Sequence, residues 1–236
     1  MAREPELLTV KANLNDNVTA LLYTSAKPSR LGTTVILGHG AGASQLSGFM
    51  QLFAHGLSER GLDVMTFNFV YMEQKRSVPD QKTKLESCFR AVIEDALSHR
   101  KLKDNKLVIG GKSMGGRIAS QVDASLFEEK DSLAQKISGL VFLGYPLHPP
   151  GNPAKLRVEH WEYIKAPMLF IQGTRDALGT PEEITPFLKQ YKSDARIHSI
   201  EGGDHSFKAP KKFGLSQSEI YETAMDEIAS WTNEIH

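Results

Sequence analysis

Short apolar runs alternate with longer amphipathic segments along almost the whole of this sequence, and that alternation narrows the folds open to it. The runs at 33–38, 62–69, 106–111 and 139–144 are rich in aliphatic and aromatic residues, which is typical of strands buried on both faces. A chain that alternates such strands with helices forms a mostly parallel sheet covered by helices on both faces. We therefore predict an α/β fold.

The start of the chain departs from this alternation. The segments LLTV and VTALLYT are separated by the turn-rich NLNDN, which predicts an antiparallel hairpin. The sequence contains no repeat or linker, and 236 residues is an ordinary length for one α/β domain, so we expect a single domain over 1–236. The other predicted elements are strands at 166–173 and in ARIHSIEG, and helices at 47–61, at 80–100 with Asp80 as N-cap, after Ser113, after Thr180, and over SQSEIYETAMDEIASWTNEI with Ser216 or Ser218 as N-cap.

The overall charge argues against binding to nucleic acid or to an anionic membrane. Lys plus Arg and Asp plus Glu number 28 each, so the formal net charge is zero, and no large basic block occurs. No stretch approaches the roughly 18 apolar residues of a membrane span, and the charged segment MAREPELLTV lacks the apolar core of a signal peptide. Cys88 is the single cysteine, which excludes an internal disulfide. We expect a cytoplasmic protein.

The segment GKSMG at 111–115 matches the pattern G-x-S-x-G and lies between a predicted strand and a predicted helix. In that context the serine occupies a sharp strand-to-helix turn, which needs small residues two positions before and after it. A phosphate-binding loop is a poor alternative, because its first glycine would fall at Lys106, within a continuous strand. Ser113 is therefore the predicted nucleophile.

A serine nucleophile needs a base to accept its proton, and the base needs an acid to orient it. With this motif, the acid and then the base follow the serine in the chain, each after a strand. Asp176 follows the strand MLFIQ and His205 follows the strand IHSIE, so both are expected at the same sheet edge as Ser113. Asp204 is the competing acid, but a residue adjacent to His205 rarely reaches the far nitrogen of its ring. The predicted triad is Ser113, His205 and Asp176.

Acyl transfer also requires N–H donors for the oxyanion of the tetrahedral intermediate. The backbone N–H of Met114, next to the nucleophile, is one expected donor. The loop HGAG at 39–42 follows the strand TTVIL, where the second donor should lie. We assign that role to the N–H of Ala41, with Gly40 as the alternative.

These motifs resemble those of the α/β-hydrolase superfamily over nearly the whole chain. GHGAGAS, FNF-x-Y and GGKSMGGR, followed by GTRDALG and GGDHSF, are similar to the small lidless group related to the testis-expressed protein thirty and dienelactone hydrolase families. Dienelactone hydrolases use a cysteine where this chain has Ser113, so their substrate is not carried over. The group is also akin to a subunit of a nuclear histone-acetylation complex, which implies a non-catalytic interaction module as an alternative and the nucleus as an alternative location.

The resemblance and the triad together predict a serine hydrolase that cleaves a carboxylic ester of a small molecule through an acyl-enzyme, with a thioesterase or small peptidase as an alternative. No metal or organic cofactor is implied, and the oligomeric state is left open. Lids of this superfamily enter within 145–166, which is too short here to cover much of the site. Lys75 and Arg76 are candidates for attracting an acidic substrate. The predicted pocket residues are Tyr71, Met72, Tyr145, His148 and Trp161.

Overall fold

One eight-stranded sheet forms the centre of the molecule in a computed structural model that describes residues 4–235. The strand order is β1-β2-β4-β3-β5-β6-β7-β8, and β2 runs antiparallel to both of its neighbours while the pairs from β4 to β8 are parallel. The sheet thus has the predicted α/β architecture with an antiparallel hairpin at its start. The strands are β1 Glu6–Lys11, β2 Asn17–Tyr23, β3 Thr33–Gly38, β4 Asp63–Phe67, β5 Lys106–Lys112, β6 Ile137–Leu143, β7 Met168–Gly173 and β8 Ala195–Ile200.

Helices cover both faces of the sheet, and each face has its own apolar core. Alternate strand residues point to opposite faces, so Ile36 packs in one core while Val35 and Leu37 pack in the other. Helices α1 and α6 complete the core around Val35, and α3, α4 and α5 complete the core around Ile36. The α-helices are α1 Gly48–Glu59, α2 Val70–Glu73, α3 Lys82–Ser98, α4 Met114–Glu128, α5 Pro181–Gln190 and α6 Gln217–Glu234. None of the helices within residues 4–235 is long and apolar enough to cross a membrane.

The helix starts follow the sequence signals in two cases and differ in a third. Thr180 and Ser216 both form capping boxes, in which the N-cap hydroxyl accepts from a backbone N–H and a glutamate accepts in return. The prediction that Asp80 caps α3 is wrong, because the first helical residue is Lys82 and the N-cap is Gln81. Asp80 instead accepts a hydrogen bond of 2.6 Å from Arg76.

Candidate active site

Ser113 occupies the turn between β5 and α4 in a backbone conformation that few residues adopt. Its φ is 51° and its ψ is −112°, and Gly111, two residues earlier, has a φ of 150°. A non-glycine residue in such a region costs about 1–3 kcal/mol, which the surrounding structure must offset. The turn directs the Ser113 hydroxyl away from the sheet at the carboxyl end of β5, at the edge where we expected it.

The two glycines of the motif allow the turn to pack against the neighbouring strand β3. A Cβ atom at Gly111 would lie 2.2 Å from the carbonyl oxygen of Gly38, and a Cβ atom at Gly115 would lie 2.1 Å from the same oxygen. Both distances are far shorter than a van der Waals contact. Side chains at these positions would therefore push β3 away from the turn, along with the loop that follows β3.

Ser113, His205 and Asp176 form a continuous chain of hydrogen bonds. His205 Nε2 lies 2.8 Å from Ser113 Oγ, and His205 Nδ1 lies 2.7 Å from Asp176 Oδ2. The carboxylate can only accept, so Nδ1 carries the proton and Nε2 is left to accept from the serine hydroxyl. The Asp176 side chain is fully buried. It is held by the Gln172 side-chain amide at 3.0 Å and by the Leu178 N–H at 2.8 Å.

Asp204, the competing acid, has a different set of partners. Its Oδ1 atom accepts hydrogen bonds from the backbone N–H groups of Ser206, at 2.8 Å, and Lys208, at 3.0 Å. These bonds close the turn that carries His205. The geometry therefore gives the ring contact to Asp176 and a structural task to Asp204.

The loop after β3 brings free backbone N–H groups beside the nucleophile. A Cβ atom at Gly40 would lie 3.7 Å from Ser113 Cβ, so the loop and the serine are in direct contact. The N–H groups of Ala41, Gly40 and Met114 form no hydrogen bond with any group in residues 4–235. This placement agrees with the donors expected for an oxyanion, and it leaves the choice between Ala41 and Gly40 open.

His39 fixes the conformation of that loop. Its Nε2 accepts from the Phe69 N–H at 3.1 Å and its Nδ1 donates to the Gly40 carbonyl at 2.9 Å, which requires the neutral ring. Burial lowers the pKa of His39 to about 4, so the ring stays neutral over the physiological range. His39 is thus a structural residue behind the N–H donors.

Lys112 is a feature of the site that the sequence motif does not reveal, because the pattern allows any residue before the serine. Its ammonium group donates to the backbone carbonyl of His205 and lies 5.1 Å from the ring centre of Phe207 and 5.5 Å from that of Phe49. Burial lowers the pKa of Lys112 to about 8. The lysine therefore ties the end of β5 to the turn that carries the base.

Two cavities meet at Ser113, and both are bordered by Ala41 and Leu178. The first, which we call the aromatic pocket, has a volume of about 480 Å³ and also contains His205. The second, the arginine pocket, has a volume of about 340 Å³. The aromatic pocket is further lined by Phe49, Met50, Lys112 and Tyr221, and the arginine pocket by Asp80, Lys82, Leu85, Met114, Arg117 and Arg157.

The five residues predicted to form the pocket line neither of these two cavities. Tyr71, Tyr145 and Trp161 are fully buried in the core, and Met72 packs against the same core. His148 is buried beside α5, with its Nε2 3.5 Å from Glu183. Within the segment 144–167, the Tyr145 and Trp161 side chains point into the core, where the Trp161 N–H donates to the Tyr145 hydroxyl at 3.1 Å, while residues 150–155 are exposed. The sequence indicated which segments approach the site, but not the direction of their side chains.

The residues proposed to attract an acidic substrate also lie elsewhere. Arg76 is paired with Asp80, and neither Lys75 nor Arg76 borders the two cavities. Cys88 is buried, and burial raises the pKa of its thiol to about 12, which removes it as a nucleophile. Within residues 4–235, no group of three His, Cys, Asp or Glu side chains has the arrangement of a metal site.

Comparison with known proteins agrees with this architecture. A family model described as the alpha/beta hydrolase domain matches residues 32–233. An α/β serine hydrolase without a lid from Xanthomonas campestris is 17% identical, with a TM-score of 0.69 and coverage of 98% of this chain and 96% of that chain. A dienelactone hydrolase from Anabaena variabilis is 18% identical, with a TM-score of 0.69 and coverage of 99% and 97%. An esterase domain from Rhodothermus marinus is 13% identical, with a TM-score of 0.71 and coverage of 99% of both chains. At these identities the likeness establishes the fold.

Proposed function

The chain belongs to the alpha/beta hydrolase domain family, and from this premise we propose that it is a serine hydrolase that cleaves carboxylic esters through an acyl-enzyme. The observation that carries the proposal is the hydrogen-bonded series from Ser113 through His205 to buried Asp176. This series starts at a strained turn and faces unpaired backbone N–H groups. A purely structural serine has no need of these features in combination.

The mechanism follows from the direction of these hydrogen bonds. His205 Nε2 accepts the Ser113 proton as Oγ attacks the ester carbonyl, and Asp176 stabilises the imidazolium that results. The oxyanion accepts hydrogen bonds from the N–H of Met114 and from that of Ala41 or Gly40. His205 then gives its proton to the departing alcohol. Water, deprotonated by the same ring, attacks the acyl-enzyme and releases the acid.

The experiment that tests this proposal is covalent labelling with a fluorophosphonate probe, followed by peptide mass spectrometry. We expect one adduct, on Ser113, in the wild type and none in Ser113→Ala. Hydrolysis of an activated ester should fall by several orders of magnitude in the same variant. Ser206→Ala is the matched control, because Ser206 also borders the aromatic pocket but lies outside the triad.

The opposite outcome is equally clear. If the folded wild type shows no labelling and no ester hydrolysis, the chain is not a serine hydrolase, and an interaction module becomes the better explanation. Labelling at a serine other than Ser113 would contradict the assigned nucleophile. Circular dichroism of both proteins distinguishes these results from a failure to fold.

A further inference from the structure

The side chains that line the arginine pocket carry an excess of positive charge beside Ser113. Arg117, on the first turn of α4, and Arg157, on the segment before β7, both line it. Neither guanidinium forms an ion pair with a carboxylate within residues 4–235. Two arginines at one cavity repel each other, so an arrangement that retains both is costly unless an anion binds there.

Hydrogen bonds within the protein leave much of the donor capacity of these arginines unused. Arg117 has one long contact of 3.4 Å to Gln121, and its Nε is buried without an acceptor. Arg157 has one contact of 3.3 Å to the Pro146 carbonyl. Burial and the nearby charge of Arg117 lower the pKa of Arg157. A guanidinium offers five donors in a planar fork that matches a carboxylate.

The two neighbouring carboxylates each lie close to a cation other than Arg117 and Arg157. Asp80 borders the same pocket, and its Oδ1 pairs with Arg76 at 2.6 Å, while its Oδ2 is buried without a hydrogen-bond partner. Glu86 lies 3.5 Å from Lys82, the third cation of the pocket. The side chains that line the pocket therefore carry three positive charges, those of Arg117, Arg157 and Lys82, and one negative charge, that of Asp80.

The position of His205 indicates which part of a substrate each cavity would hold. The leaving alcohol must take its proton from His205 Nε2, and His205 borders the aromatic pocket but not the arginine pocket. The alcohol therefore leaves through the aromatic pocket, and the acyl chain extends from Ser113 into the arginine pocket.

We propose that Arg117 and Arg157 bind a carboxylate at the far end of the acyl group, so that the preferred substrates are half-esters of dicarboxylic acids. This inference rests on the proposed serine hydrolase function and names the substrate class of the same site.

The test compares two 4-nitrophenyl esters that differ only in charge. One is the monoester of adipate, with a free terminal carboxylate, and the other is the adipamate ester, with a terminal amide. For the wild type, kcat/KM should be roughly ten- to a hundred-fold higher for the adipate ester, the range expected for a charge-assisted hydrogen bond. Arg117→Gln and Arg157→Gln should each lose most of that preference, measured as the ratio of kcat/KM for the two esters within one variant.

Three controls make the outcome decisive. Arg100→Gln removes an exposed arginine remote from the site and should keep the preference. The ratio of the two rates within one variant corrects for any partial loss of folded protein. An acetyl ester of 4-hydroxybenzoate places the carboxylate on the leaving group, where we expect no benefit.

Equal rates for both esters, in a wild type that reacts with fluorophosphonate at Ser113, would overturn the proposal that the site prefers an acyl group with a terminal carboxylate (the acidic-acyl proposal). The proposed serine hydrolase function would still stand. A preference that survives in the Arg117→Gln, Arg157→Gln double variant, or one confined to the hydroxybenzoate ester, would overturn it as well. If the wild type shows neither labelling nor hydrolysis, the proposed function fails, and the acidic-acyl proposal fails with it.

Discussion

Two carboxylates lie next to His205, one in space and one in the sequence, and only Asp176 contacts its ring. Asp204 accepts instead from the N–H groups of Ser206 and Lys208. An amide oxygen can replace a carboxylate oxygen in the second task but not in the first, because the imidazolium needs a negative charge.

We therefore expect Asp176→Asn to lower kcat/KM on an activated ester by about a thousand-fold or more, with the fold retained. Asp204→Asn should keep activity within about ten-fold, since its Oδ1 still accepts both backbone N–H groups. Steady-state kinetics on one 4-nitrophenyl ester, with circular dichroism of each variant, makes the comparison. Greater damage in the Asp204 variant would show that the acid is misassigned.

The meeting of Ser113, Asp176 and His205 could be predicted from the sequence because each lies within a few residues of the end of a strand, and parallel strands present their carboxyl ends at one edge. Lys112 could not, since the motif places no constraint on that position. Its contact with the His205 carbonyl joins residues from β5 and from the turn after β8. Only the folded chain brings these two segments together.

The strands and helices follow from hydrophobic patterning, with small differences at their ends. The apolar run predicted as a strand at 62–69 ends earlier in the structure, at Phe67, where the Asn68 N–H donates to Thr19 of β2 and the Asn68 side chain accepts from the Gln45 N–H. Asp80 has the residue type of an N-cap, yet the competing partner Arg76 holds it outside α3. Local sequence does not reveal such tertiary competitors.

Helix α4 carries a buried carboxyl group, that of Asp123. This side chain is 4% exposed and forms no hydrogen bond or ion pair with other residues in 4–235. Burial raises the pKa of Asp123 to about 7. Between the ordinary value near 4 and this value, the folded state binds more protons than the unfolded state, so stability falls as the pH rises.

We expect Asp123→Asn to stabilise the protein, and to do so more at pH 8 than at pH 5. At pH 8 the wild type must ionise a buried carboxyl, whereas at pH 5 that carboxyl is protonated in the folded state. The difference between the two gains should be roughly 2 kcal/mol. Urea unfolding of both proteins at the two pH values measures it. Asp104→Asn, at an exposed carboxylate, is the matched control, with little change expected at either pH. An equal gain at both pH values would contradict the buried charge.

At the scale of the whole molecule, a net charge of zero is compatible with a local excess of positive charge in one cavity. The equal numbers of acidic and basic residues exclude a large single-sign field. They do not exclude a cavity lined by Arg117, Arg157 and Lys82. Composition therefore limits the class of macromolecular partner, while the local arrangement of side chains determines the chemistry of a small substrate.

The segment between β6 and β7, within which we expected a lid to enter, packs several of its side chains into the core. Between β6 and β7 the chain buries Trp161, whose N–H donates to the Tyr145 hydroxyl, and the Tyr145 hydroxyl donates to the Arg157 carbonyl at 2.7 Å. Moving this segment would expose a large apolar area, which would cost several kcal/mol. We infer that it does not open and close over Ser113.

The rate of ester hydrolysis should therefore show no activation at a lipid–water interface. A lipase-like lid opens on an apolar surface, so the rate of such an enzyme rises sharply once the substrate exceeds its solubility. A site without such a lid is already open, so its rate should not depend on the presence of that surface. We expect the hydrolysis of tributyrin to rise smoothly with concentration and to level off across the solubility limit. Titration of released acid at constant pH, with a lidded lipase as the positive control, measures the curve. An abrupt rise above the solubility limit would mean that the segment between β6 and β7 moves after all, and that the packing of Trp161 is only one of its two states.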